Sequence, residues 1–337
     1  MNGGTVKQNG KDIHPPMGSC RMPVGCQSVL DSIRYALYII MHIMERKQIG
    51  PIEFIPGLNG GKYPYCHSLF IEEAGIIIDP SSDREILQDI HKKGKVKEVW
   101  LSHFHEDHFG EIDVFEDLPI WISERDAPPM SGISVFLDWY GIEGMEERDY
   151  WRRFMEEQFR YRPRQPSRFF QDGEVIDLGS EQVEVIATPG HTPGNLSFFF
   201  RNSKILFIGD YDLTPFGPWY GDRYSSIEQT LDSIRRLQGI SARVWLASHE
   251  AGIFNSPPGP LWHRYEEVIF ERERKILAFL KRKRTFQEIT NAWICYGKPR
   301  TPKAFFDFAE SALIRKHLEY LLKRGLIQRT GIHYIQS

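Results

Sequence analysis

The chain reads as an α/β domain followed by a small α+β appendage, and three observations predict that division. Short apolar runs recur that each end in a histidine or aspartate: residues 97–102 before His103, 182–186 shortly before His191, 204–209 before Asp210 and 243–248 before His249. Residues 255–260, Asn-Ser-Pro-Pro-Gly-Pro, form a linker signal. Charged helical stretches and a hairpin-like close follow it. A length of 337 residues exceeds the usual single domain, and 41% hydrophobic content suffices for a sizeable core. The expected divisions are residues 1–50, 51–258 and 259–337.

The formal net charge of -3 gives no global pull towards nucleic acid or an anionic membrane, so any such affinity must be local. Cys20, Cys26, Cys66 and Cys295 have no metal-ligand spacing and read as reduced thiols of a cytoplasmic protein. Residues 1–27 mix Gly, Pro, Asn, Lys and Cys without periodicity, the composition of a disordered segment. Residues 28–48 then space Val29, Leu30, Ile33, Ala36, Leu37, Ile40 and Ile43 as a helical stripe. The apolar part of that stripe is far shorter than the roughly 20 residues a membrane span requires. No small-residue cleavage site follows it, so a docked or partner-binding helix is expected, with natural initiation at Met44 as the alternative.

Residues 52–57 and 68–71 are the first strand signals, and 97–102 is a short buried strand that opens into His103-Phe-His-Glu-Asp-His108. Three imidazoles and a carboxylate within six positions exceed what a packed core accommodates, because each buried polar ring must find a partner. In the turn, His103 and His105 face one way and Asp107 and His108 another, which offers two adjacent metal positions. His191 sits in the turn Thr-Pro-Gly-His-Thr-Pro-Gly, Asp210 follows a Gly at its strand end, and His249 follows a Ser at its own. Any one of these histidines alone reads as an ordinary surface or core residue; the ordered set does not.

The succession His-x-His-x-Asp-His, Gly-His, Gly-Asp and Ser-His resembles the metallo-β-lactamase superfamily, over about residues 52–255. The resemblance implies a four-layer αβ/βα sandwich with a binuclear metal centre. It implies that His103, His105 and His191 hold one metal, Asp107, His108 and His249 the second, and Asp210 both. The pattern is closer to glyoxalase II than to the lactamases proper, which often carry cysteine at the position of Asp210. Nitrogen and oxygen ligands without a thiolate suit two Zn2+ ions, with iron or manganese as alternatives. The reaction implied is attack by a metal-bridging hydroxide on a thioester, ester or lactone, with Asp107 orienting the nucleophile as catalytic residue. Glu106 is expected to face outward, away from the metals. Family members carry early loops on the rim of the cleft, so Lys62, Tyr63, Tyr65 and His67 are expected substrate contacts.

Residues 125–172 form an insertion whose centre, 146–162, is helix-forming, with Tyr150, Phe154 and Trp151 towards one face. Its arginines could hold an anionic substrate as a lid; the glutamates interleaved with them favour a solvated face. Residues 211–223 form a second insertion, a structured loop over the cleft with Phe216, Trp219 and Tyr220 as apolar walls, and a helix at 226–238 follows. Past the linker, 261–283 reads as a long charged helix, Thr285 to Glu288 as a capping box, 314–324 as a helix and 325–335 as a hairpin. That order resembles the winged-helix appendage of some superfamily hydrolases, lactamase-like endoribonucleases among them. A capping or dimer-interface role is favoured over nucleic-acid binding, although Lys281, Arg282, Lys283 and Arg284 make this end basic. A small-molecule hydrolase is therefore expected, with a phosphodiesterase or endoribonuclease as the enzymatic alternative. The alternative of another class is a metal-bound sensor with a DNA-binding winged helix.

Overall fold

A computed structural model describes residues 45–337. The expected disordered segment and nearly all of the expected helix at 28–48 lie outside the described residues. Lys47 and Gln48, assigned to that helix, instead belong to the first strand, where they pair with Phe54 and Glu53.

Seven strands follow one another across the first sheet: β1 (Lys47–Ile49), β2 (Ile52–Ile55), β3 (Ser68–Ile71), β4 (Ile76–Ile78), β5 (Glu98–Trp100), β6 (Ile120–Ser123) and β7 (Arg168–Phe170). β1 to β4 pair antiparallel, and β4 to β7 pair parallel. The second sheet runs β8 (Val175–Asp177), β9 (Gln182–Ala187), β10 (Leu196–Phe200), β11 (Ile205–Gly209), β12 (Val244–Ala247) and β13 (Ile253–Phe254). Its one parallel pair, β11 with β12, has to be bridged by a crossover, which the chain makes through helix Ile227–Gln238.

The two sheets bury one face each against the other. Phe54, Leu69, Ile78 and Trp100 of the first meet Val183, Phe198, Phe207 and Leu246 of the second. Alternate residues point outward and are covered in turn. Ile77, Val99 and Leu101 pack under helix α1 (Arg84–Lys92) through Leu87 and Ile90, and Leu206, Ile208 and Trp245 pack under Ile234 and Leu237 of Ile227–Gln238. Strands apolar on both faces are the mark of a sheet covered twice. The result is the expected helix–sheet–sheet–helix sandwich.

The insertion folds as α2 (Ile133–Tyr140) and α3 (Met145–Gln158), and Ile227–Gln238 is α4. On α3, Trp151 and Met155 turn inward, whereas Tyr150 is exposed and Phe154 only half buried. The inward face of the helix is thus centred on Trp151, against the order expected from sequence. Arg148, Arg152, Arg160 and Arg168 pair with Asp138, Asp149, Glu111 and Glu174.

The C-terminal region comprises α5 (Gly259–Phe279), a short α6 (Phe286–Thr290), α7 (Lys303–Lys323) and a three-stranded sheet ordered β14 (Arg284–Thr285), β16 (His333–Gln336), β15 (Ile327–Thr330). The expected capping box is present, with Thr285 and the Glu288 carboxylate satisfying each other's backbone N–H groups. This region has its own core around Ile276, Leu280, Ile314, Leu318 and Leu321. Buried polar links tie it to the sandwich: Tyr220 Oη lies 2.8 Å from His317 Nε2, Arg272 donates to Tyr220 Oη at 2.9 Å and to the Phe216 carbonyl at 2.7 Å, and Lys316 donates to the Arg223 carbonyl at 2.6 Å.

His317 makes this junction acid-sensitive. Burial, with Arg272 adding to it, lowers its pKa to about 3. The unfolded imidazole titrates near its ordinary value of about 6.5, so the unfolded state binds the extra proton between these values. Full stability is present above the unfolded value and is lost as pH falls towards the folded one. Chemical denaturation should show about 2 kcal/mol less stability at pH 5 than at pH 7 from this group alone. His317→Gln should remove that increment of the pH dependence while weakening the protein at neutral pH.

Candidate metal centre

Five strand ends deliver the site to one edge of the sandwich. β5 leads into His103, β9 to the turn holding His191, β11 to Asp210 and β12 to His249. The fifth, β4, ends in Asp79, which the sequence reading passed over.

One nitrogen from each of three imidazoles converges on a common point. His103 Nε2 is 3.0 Å from His105 Nδ1 and 3.1 Å from His191 Nε2, and His191 Nε2 is 2.9 Å from His105 Nδ1. Together with an oxygen of Asp210 these atoms all lie within 4.8 Å of one another, and one ligand atom each of Asp107, His108 and His249 forms a second group of that size. Asp210 faces both. Its Oδ2 is 3.4 Å from His191 Nε2, while its Oδ1 is 2.9 Å from His108 Nε2 and 3.2 Å from His249 Nε2. All seven residues named from the sequence are therefore adjacent, in the two groups expected.

The chemistry of the donors fits a pair of cations. His108 Nε2 and Asp210 Oδ1 are fully buried and, despite their proximity, are not aligned as a hydrogen bond, so each lacks a partner. Buried polar atoms left in that state are costly unless something else satisfies them. Burial, reinforced by the neighbouring rings, holds His103 well below the ordinary imidazole value and His191 at about 4, which keeps their lone pairs free to donate. Burial opposes ionisation of Asp210, yet His108 and His249 overcome it and hold its carboxyl well below the usual range.

The opposite nitrogen of every ring is fixed. Asp79 accepts from His108 Nδ1 at 2.9 Å and also from the Ser102 N–H and hydroxyl, at 2.8 and 2.7 Å. Ser102 Oγ lies 2.9 Å from His103 Nδ1. His105 Nε2 lies 2.7 Å from Asp222, His191 Nδ1 3.1 Å from the Trp219 carbonyl, and His249 Nδ1 2.6 Å from the Gly61 carbonyl. Gly61 can sit there only without a side chain, because a Cβ on its left-handed backbone (φ +66°) would come within 2.5 Å of the His67 ring. Such outer partners set ring orientation and tautomer, and losing one typically costs 10–100-fold in metal affinity or activity. Asp222→Asn should weaken metal binding by about that factor, read by titration against a chromogenic chelator, with little change in melting temperature.

A cavity of about 390 Å³ opens beside the site and is bordered by His105, Asp107, His191 and Asp210. Tyr63 and Trp219 line it as expected. Other expected contacts do not. His67 is buried beneath the site, where its Nδ1 accepts from the Gly57 N–H at 2.9 Å and its Nε2 lies 3.2 Å from the Glu250 carbonyl, so it locks two loops together. Tyr220 is buried against Ile269 and Leu313 and serves the junction with the C-terminal region. Lys62 is exposed, Tyr65 is half buried, and neither borders the cavity.

Glu106 also departs from expectation. It points into the cavity, 5% exposed, because the turn closed by the His108 N–H on the His105 carbonyl rolls it inward, where Tyr63 donates to it at 2.8 Å and Tyr140 also donates. Asp79, Asp222, Tyr140 and Glu106 are the residues sequence reasoning missed. Asp79 alone left a usable signal, since it follows Ile76–Ile78 as the other ligands follow their strands.

The comparisons with known proteins agree with this geometry. Residues 63–249 match the family model of the Metallo-beta-lactamase superfamily. The acyl-coenzyme A thioesterase MBLAC2 of Gallus gallus is 31% identical over 158 residues, 46% of this chain and 55% of that protein. A hydroxyacylglutathione hydrolase of Gloeobacter violaceus is 25% identical over 209 residues, covering 59% of this chain and 68% of that protein. The chain thus spans about half the length of the first of these relatives and two thirds of the second. Among solved structures, a metallo-beta-lactamase family protein from Thermus thermophilus superposes with a TM-score of 0.62 over 85% of this chain and 98% of its own, at 22% identity, which shows a shared fold. With its sandwich, its strand-end donors and more than half its length matched, the chain belongs to the metallo-beta-lactamase superfamily.

Proposed function

We propose that the protein hydrolyses acyl thioesters at a binuclear metal centre. The observation that carries this reading is the composition of the cavity: beside the two ligand groups it presents Glu106, Asp107 and Asp210, and neither lysine nor arginine. A phosphodiester brings its own negative charge and calls for cations to meet it. Arg148, Arg152, Arg160 and Arg168 of the insertion, which would have served, pair with carboxylates elsewhere. A neutral carbonyl carries no such requirement. The names of two relatives, an acyl-coenzyme A thioesterase and a hydroxyacylglutathione hydrolase, point to the same bond among the thioesters, esters and lactones open to the site.

His103, His105 and His191 would hold one divalent cation, Asp107, His108 and His249 a second, with Asp210 shared. Bound there, such a pair brings the pKa of water towards about 7 and polarises the carbonyl under attack. An all-nitrogen and oxygen donor set suits zinc, and also iron or manganese. Asp107, at the cavity wall, accepts a hydrogen bond from the attacking water and fixes its direction. Asp79 and Asp222 hold His108 and His105 in place through the reaction. The aromatic walls keep bulk water from the acyl carbon.

Among the described residues no helix is long and apolar enough to cross a membrane. Among the described residues Cys66 and Cys295 form no disulfide. Turnover of an acyl thioester, an acyl lactone, bis-p-nitrophenyl phosphate and a short RNA by zinc-, manganese- and iron-loaded protein tests the assignment. Thioester cleavage above the others is expected. Activity confined to the phosphate substrates would overturn it, and tight small-molecule binding without turnover would favour a sensor.

A further inference from the structure

Resting on the thioester reading, we propose that the acyl half of the substrate is an extended apolar chain, and that the C-terminal region supplies one wall of its binding site. The cavity beside Asp107 and Asp210 leads away from the ligands into a space bounded by two parts of the chain that are far apart in sequence. On one side stand Phe136 and Leu137 of α2 and Trp151 and Met155 of α3. On the other stand Phe305, Phe306, Phe308 and Ala309 of the first turns of α7.

The two walls touch. The ring of Phe305 lies 5.3 Å from Tyr63 and 6.0 Å from Trp151, and that of Phe308 lies 5.5 Å from Trp151 and 6.3 Å from Tyr140. Three phenylalanines within four positions of one helix are only half buried, and all three line the hollow. Burying that surface against a ligand is favourable by the same effect that builds a core. Residues 303–309 lie beyond the stretch that matches the family model.

Polarity excludes the alternatives. Of the charged residues that line the cavity, Glu106 alone lies outside the two ligand groups, and its carboxylate already accepts from Tyr63 and Tyr140. Both phenols are therefore engaged as donors. A peptide, sugar or phosphate in the acyl position would find few free partners and would leave polar groups unpaired. An aliphatic chain loses nothing by entering. A volume of about 390 Å³ is within the range of small-molecule sites.

The test has two arms. With metal-loaded protein, kcat/KM for saturated acyl thioesters should climb from acetyl to decanoyl by roughly fourfold per methylene until the cavity is filled. Ala309→Leu, which removes space, should move the optimum to shorter chains. Equal rates for acetyl and decanoyl thioesters would overturn the acyl site while leaving the thioester reading intact. The second arm needs no turnover: a fluorescent dodecanoic acid analogue should bind at one equivalent and be displaced by decanoate, and Phe305→Arg should weaken it at least tenfold. Phe305 is half exposed, so this variant is expected to fold, as circular dichroism and melting temperature will show. Fatty-acid binding without thioester cleavage would sink the proposed reaction and spare the pocket; absence of saturable binding would overturn the pocket.

Discussion

Asp210→Ala is expected to empty both ligand groups at once and to abolish hydrolysis. Its two oxygens face different groups, Oδ2 towards His191 and Oδ1 towards His108 and His249. Removing it also takes away the anion that His108 and His249 face. Two consequences follow. Metal content measured by plasma emission should fall from two equivalents per chain to below one, and kcat/KM should drop at least about 10⁴-fold, beyond the loss of an outer hydrogen bond. Retention of two equivalents with activity would remove Asp210 from the centre.

Asp107→Asn should separate catalysis from folding. Asp107 sits at the cavity wall with Oδ2 3.7 Å from His249 Nε2 and Oδ1 3.9 Å from His108 Nε2, looser than the contacts of Asp210. The amide keeps the shape and one oxygen for coordination but cannot accept a proton or align the water as a carboxylate does. Loss of a positioned acid–base group costs typically 10²–10⁴-fold. A fall of about that size in kcat is expected, with KM changed less than threefold and melting temperature unchanged to within roughly 2 °C. A variant as active as the parent would remove Asp107 from the chemistry.

The ligands could be read from the sequence because each is a local event: an apolar run defines a strand, and the residue after it inherits the strand's direction. His103, His191, Asp210 and His249 share that origin, and the sandwich follows from strands apolar on both faces. The partners that orient the rings were not legible in this way. Asp222 meets His105 across 117 positions, a proximity set by packing of the 211–223 loop and invisible to periodicity. His67 and Tyr220 show the converse. Both occupy loops of the right composition beside the cleft, yet local backbone geometry turned each ring into the protein, where a carbonyl or a second ring nitrogen satisfied it. Glu106 faces the cavity and not solvent because the turn at His105–His108 is closed by the His108 N–H on the His105 carbonyl, a geometry set by the folded backbone and not by residue type. The wall formed by Phe305 and Phe308 depends on how α7 docks against α3, which the apolar pattern of either helix alone does not specify.

The most direct test of a binuclear thioesterase is to titrate metal-stripped protein with zinc while following hydrolysis of one acyl thioester and metal bound per chain. Activity should rise with added metal and level off at two equivalents, and Asp107→Asn should bind the same two equivalents with a small fraction of the rate. Hydrolysis that is indifferent to metal, or two bound ions with no thioester cleaved under any loading, would contradict it.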